Sequence, residues 1–177
     1  MDLRTHPYRS QIRLLLGTAL AMFVFTVGIG ILNGTDLVDF ERKVLLTHVH
    51  VGTLAWITLS VFASTLWLFA EEALEGVADT WARIGAPLAA ATVVAYNLAF
   101  LTTTGYVRPV LGALAAASIL GWFAWAVGLA RGRAVSVPMW GLLAALATSV
   151  TGGILGVLYG ILIASSGDAK VLPSGGE

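Results

Sequence analysis

Cysteine is absent from the sequence. That absence excludes disulfides, iron–sulfur clusters, thiolate metal sites and haem attached through C-x-x-C-H. Charge is scarce, at 11% of residues against roughly 25% in ordinary soluble domains. The ten basic and ten acidic residues cancel, and no basic tract argues for nucleic acid. Histidine is scarcer still. There are three, His6, His48 and His50, and none follows position 50. A metal site would have to draw on histidine, carboxylate or methionine. No nucleophile–base pair, carboxylate pair, Rossmann glycine pattern or Walker sequence is present, which leaves open whether the protein is an enzyme at all.

What the sequence does have is long apolar runs, with 58% hydrophobic residues overall. The charges fall between these runs and not inside them. A charge at the bilayer centre costs about 2.5 kcal/mol or more on insertion scales, so this distribution marks a polytopic membrane protein. A spanning helix needs about 20 mostly apolar residues. Five such stretches are predicted, at about 11–33, 43–70, 80–103, 106–130 and 138–164. The fold class is all-α, a single membrane helical bundle, followed from 166 to 177 by a Gly- and Ser-rich tail expected to be flexible. The first run has a basic start but is longer than the usual signal-peptide core, so it reads as a retained helix.

The breaks have physical marks. Gly34, Asp36 and Asp39 close the first run. Glu71, Glu72, Glu75, Gly76 and Asp79 close the second and read as a solvated turn. Gly105 parts the third from the fourth, which opens on Arg108 and Pro109. Arg131, Gly132 and Arg133 close the fourth, and Pro138 suits the first turn of the fifth. Short loops make neighbouring helices antiparallel. With the N-terminus inside, the inner side carries Arg4, Arg9, Arg13, Arg83, Arg131 and Arg133, and the outer side Arg42, Lys43, Arg108 and Lys170. The bias, reinforced by the three arginines ahead of the first helix, places the N-terminus in the cytoplasm of a cell with this protein in its inner (plasma) membrane. Trp81 and Trp140 fit an aromatic belt. His6, beside Pro7, reads as a surface residue.

Glycines recur at fourfold spacing as Gly152, Gly156 and Gly160, and as Gly128 and Gly132. This spacing lets helix backbones approach closely, within one subunit or across a homodimer interface. Tyr96, Asn97, Thr102, Thr103, Thr104, Ser118, Thr148, Ser149, Thr151 and Tyr159 are embedded polar groups. Asn97 is the costliest to bury and is expected to have a partner.

The informative segment is Thr47-His48-Val49-His50-Val51-Gly52-Thr53-Leu54-Ala55-Trp56 in the second helix. At 1.5 Å per residue the two histidines lie roughly 8–11 Å from Lys43. An intramembrane histidine is rare and expensive and is a functional candidate by default. Residues two apart on a helix point about 200° apart, so His48 and His50 cannot bind one metal from the same face. A zinc site needs several converging ligands, and no embedded carboxylate is there to help. A haem asks for one or two axial ligands and an apolar slot. On regular helical spacing, His48 shares its face with Gly52 and Ala55, which leave room for a flat macrocycle. The His50 face, with Leu54, Ile57 and Val61, reads as packing. His48 is therefore the preferred ligand. Trp56, Trp122 and Trp125 are mid-helix aromatics, either pocket walls or packing.

This segment resembles helix two of the catalytic subunit of haem–copper oxidases, with the nitric oxide reductases and cbb3-like members closest. In that family a histidine in this region ligates the low-spin haem, and an upstream arginine is matched here by Arg42. The resemblance covers the first two helices and implies a b-type haem, bound by His48 or His50 with Gly52, Ala55 and Trp56 around it. It also implies electron transfer or gas sensing and a redox partner protein. The departures are large. The family has about twelve helices, and its remaining ligands are histidines on later helices, which this chain lacks. A second axial ligand would come from Met22, from Met139 or from a histidine of a second copy, and two copies hold enough membrane histidines for two haems. The alternatives are a small transporter or channel using Tyr96, Asn97 and the nearby threonines, and an accessory subunit of a respiratory complex.

Overall fold

In the computed structural model, residues 3–103 and 105–166 are described, the last without its side chain. Five helices account for almost all of them, and among the described residues there is no strand. A short 3₁₀ turn at Leu3–Thr5 leads into α1, Arg9–Gly34. The second helix, α2, spans Arg42–Phe69 and is followed by α3 at Gly76–Thr102, α4 at Val107–Ala130 and α5 at Val137–Ser166. All five are long and apolar enough to cross a membrane. The protein is thus an all-α multi-pass membrane bundle, as the apolar runs indicate. The expected flexible tail falls on residues outside those described, apart from Ser166, which closes α5.

The breaks act as their chemistry dictates. Gly105 and Gly132 take φ of +65° and +78°, a left-handed conformation that glycine adopts without a Cβ penalty. Pro109 and Pro138 sit in the first turns of α4 and α5, where the missing N–H costs nothing. Pro87 lies inside α3, and the helix runs through it, as membrane helices tolerate.

The core is densest in the half of the bundle nearer the N-terminus. There Leu15, Leu59, Phe62, Leu66, Phe69 and Trp122 are fully buried. Phe62 of α2 stacks on Trp122 of α4, with ring centroids 4.7 Å apart and planes 16° apart. Trp81 does not sit free in an interfacial belt. It is half-buried between α3 and α4. A Cβ on Gly121 would fall 2.6 Å from its ring, and one on Gly85 3.3 Å. Trp140, by contrast, is 62% exposed, as a belt residue should be.

Two further expectations change. His6 is not a surface residue. It is 4% exposed and stacks on Trp67 of α2 at 5.2 Å. The acidic loop is not merely solvated, because Tyr8 is fully buried and reaches into it. The Tyr8 hydroxyl donates to Asp79 at 2.8 Å and accepts from the Leu74 N–H at 2.9 Å. Asp79 also pairs with Arg83 at 2.9 Å, whose guanidinium lies over the Tyr8 ring. The N-terminal segment is thereby fastened across the α2–α3 loop.

Candidate functional site

The second helix is not a regular α-helix. It is α-helical over Arg42–His50, widens to a π-helix over Val51–Ala55 and returns to α over Trp56–Phe69. Wider π turns of this kind are frequent at functional sites. Here the widening begins at the residue after His50. It breaks the regular spacing that would have put His48, Gly52 and Ala55 on one stripe. Nothing in the sequence marks it, since no proline is near.

His48 turns toward α1. Its Nδ1 lies 2.8 Å from both the carbonyl oxygen and the hydroxyl of Thr26, and that hydroxyl donates to the His48 carbonyl at 2.8 Å. A Cβ on Gly30 would meet the His48 ring at 3.1 Å, and a Cβ on Gly52 would meet the Thr26 hydroxyl at 3.3 Å. Gly30 and Gly52 thus serve close approach of α1 to α2. Ala55 is fully buried, and Trp56 packs on Phe23 of α1 at 4.9 Å. The space expected beside Gly52 is filled by Thr26.

His50 turns the other way, toward α3, as residues two apart must. Its Nδ1 donates to the Leu46 carbonyl one turn back at 2.7 Å. Its ring stacks on Phe100 at 3.9 Å and meets Tyr96 edge-on at 6.1 Å. Phe100 also lies under the Arg108 guanidinium at 5.2 Å, and Arg108 donates to the Phe100 carbonyl at 3.0 Å. One end of α3 is closed in this way by the first turn of α4.

Beside His50 is a cavity of about 130 Å³. His50, Thr53 and Leu54 form one wall, Tyr96 a second, and small residues of α4 and α5 the others, among them Gly112, Ala115, Gly152 and Gly156. Gly112 is required there, because a Cβ would fall 2.9 Å from the Tyr96 ring. The Thr53 hydroxyl is spent on the Val49 carbonyl. The Tyr96 hydroxyl makes no hydrogen bond among the described residues. The two helix faces differ from the expectation in part: Thr26 of α1 fills the His48 side, and the His50 face, packed on Phe100 and Tyr96 as expected, also borders a cavity. The glycines of α5, read in sequence as a packing stripe, line part of it.

Asn97 is fully buried, and its partner is its own helix, with Nδ2 donating to the Val93 carbonyl at 2.7 Å. Its Oδ1 has no partner among the described residues. Of the threonines beside it, Thr102 and Thr103 donate to carbonyls one turn back, and Thr104 lies outside the described residues. Among the described residues no three His, Cys, Asp or Glu side chains gather as a metal group.

Both histidines hold Nδ1 against a main-chain carbonyl. In that tautomer Nε2 carries the lone pair, ready to accept a hydrogen bond or to ligate a metal. Fold and site together define a multi-pass helical membrane protein with a histidine-bordered cavity within the bundle. Comparison with family models, with curated proteins and with solved structures gives no match.

Proposed function

We propose that the protein binds a small molecule within the membrane, in the cavity beside His50. The observation that carries this reading is the meeting of His50 and Tyr96, whose hydroxyl has no hydrogen bond among the described residues, on the lining of a part-open cavity of about 130 Å³. A cavity of about 150 Å³ holds benzene or xenon, so the guest has about that size. A mostly apolar wall with a few polar groups favours an apolar body carrying one hydrogen-bond donor, accepted by Nε2 of His50. Beyond Ile119 the space gives way to the Phe62–Trp122 stack. That dense stack on the N-terminal side of the cavity favours binding over conduction. The basic residues around α1 favour a cytoplasmic N-terminus in the plasma membrane and hence a site in the outer leaflet.

The test is thermal unfolding in detergent with phenol or benzene added. Phenol raises the midpoint more than benzene does, and His50→Phe removes the difference. Equal shifts in wild type and variant, or none, overturn the reading.

A second reading is a b-type haem protein for electron transfer or gas sensing, with His48 or His50 as axial ligand, two copies sharing the site and a redox partner protein. Its support is the Nδ1–carbonyl pairing of both imidazoles, which is how metal-bound histidines are oriented. The donor chemistry fits and the size of the cavity does not. Even drug-sized ligands take pockets of about 300 Å³ or more, and α1 occupies the His48 side. A haem would have to lie outside the closed bundle, against a second copy. Visible spectra of protein expressed with haem decide. A Soret band that sharpens on reduction and is lost in His48→Ala or His50→Ala favours haem, and a flat spectrum removes it.

A further inference from the structure

At the opposite end of the bundle from the histidines, α1 and α2 diverge under the N-terminal turn. They leave a second, more open groove of about 370 Å³. Ile12 and Leu16 of α1, Ala63 and Trp67 of α2, and Leu3 line it. Leu16 is 43% exposed, so the groove opens sideways, where the apolar faces of spanning helices meet lipid chains. From Ile12 to Leu16 the lining stretch of α1 rises roughly 6 Å, the length of several methylenes of an acyl chain.

The mouth is basic. Arg9 and Arg13 precede Ile12 and Leu16 by three residues each, so all four lie on neighbouring stripes of α1. Both arginines are exposed, and their side chains make no ion pair or hydrogen bond among the described residues. The nearby carboxylate Asp79 is already held by Arg83 and Tyr8. Glu71, Glu72 and Glu75 are exposed in the α2–α3 loop. The Trp67 indole N–H, on the groove wall, likewise has no hydrogen-bond partner among the described residues. Two exposed guanidiniums with no ion pair among the described residues, on the stripe of α1 next to an apolar, laterally open groove, are complementary to a phosphate joined to a hydrocarbon chain.

We propose that this groove is a binding site for an anionic phospholipid, with one acyl chain between α1 and α2 and its phosphate on Arg9 and Arg13. This site is independent of the cavity at His50.

The experiment is native mass spectrometry of the detergent-purified protein. It is titrated with phosphatidylglycerol or with phosphatidylcholine of the same chains, with inorganic phosphate as competitor. The expected result is one phosphatidylglycerol retained at least tenfold more tightly than phosphatidylcholine. In R9Q/R13Q that preference is largely lost, as expected on removing the roughly thirtyfold attraction of two basic residues near the surface. Ala63→Trp, which fills the groove and leaves both charges, weakens both lipids. Circular dichroism confirms that each variant keeps its helices, and R9Q and R13Q singly replace a double variant that does not. Equal retention of the two lipids, an unchanged preference in the arginine variants, or displacement of the lipid by millimolar phosphate overturns the proposal.

Discussion

The two halves of this bundle are built from similar apolar residues but pack differently. The half nearer the N-terminus is dense. Phe62, Leu66, Phe69 and Trp122 are all at 1% exposure or less, and Tyr8 fastens the N-terminal segment to the α2–α3 loop. The half bearing His48 and His50 has a widened helical turn at Val51–Ala55 and a cavity edged by glycines of α4 and α5. Along its far stretch α5 leaves Ile154, Leu155, Leu158, Ile161 and Leu162 exposed. In a bilayer an exposed leucine costs nothing, so burial of apolar area cannot hold these helices together; close packing and interhelical hydrogen bonds must. The dense half supplies the packing. The other half retains open space and polar groups, which a ligand site needs and a scaffold does not.

If that division is right, substitutions in the dense half lower stability and spare phenol binding. The largest effect is expected from Trp122→Ala, which empties the space opposite Phe62. Large-to-small changes of buried aromatics cost about 3–5 kcal/mol, read as a lower unfolding midpoint in detergent. Tyr8→Phe comes next. It leaves the Leu74 N–H and Asp79 without the hydroxyl, for a cost of about 1–3 kcal/mol. Its readout is faster hydrogen exchange over residues 70–80, with the histidine half unaffected.

In the other half, Thr26→Val removes the hydroxyl that joins α1 to His48, at about 1 kcal/mol. Valine keeps the main-chain carbonyl, so the His48 Nδ1 bond survives, and ¹⁵N spectra of the imidazole show the same tautomer before and after. A change of tautomer would mean that the hydroxyl and not the carbonyl orients the ring.

The smallest effect is a pH dependence confined to the N-terminal segment. Burial lowers the pKa of His6, opposed in part by the Trp67 carbonyl and by Glu71. The unfolded segment therefore binds a proton that the folded one resists. Stability of the segment is full above the ordinary histidine value of about 6.5 and declines as pH falls below it toward the lower folded value. Exchange around Tyr8 should quicken in acid for wild type and stay flat in His6→Phe. An acid response of equal size in the variant would assign it to carboxylates of the adjacent loop.

Much of this molecule was legible before folding. The five spans, their boundaries and the opposed directions of His48 and His50 follow from local rules of length, polarity and helical period, each carried by a few neighbouring residues. The role of each face was not legible. Regular spacing points to room beside His48 and packing beside His50; in the structure α1 fills the His48 side, and the His50 side holds both packing and a cavity. The reason is that whether a glycine makes a hole or a contact depends on what faces it. Thr26 fills the space at Gly52, while Gly112 admits the Tyr96 ring at the edge of a cavity. The burial of His6 was hidden for the same cause, since its neighbour Trp67 lies 61 residues away in the chain. Composition and periodicity along one strand of sequence determine that these helices exist and span. Which of their side chains meet, and where space is left between them, depends on pairs of residues distant in sequence, and only the packed bundle brings those together.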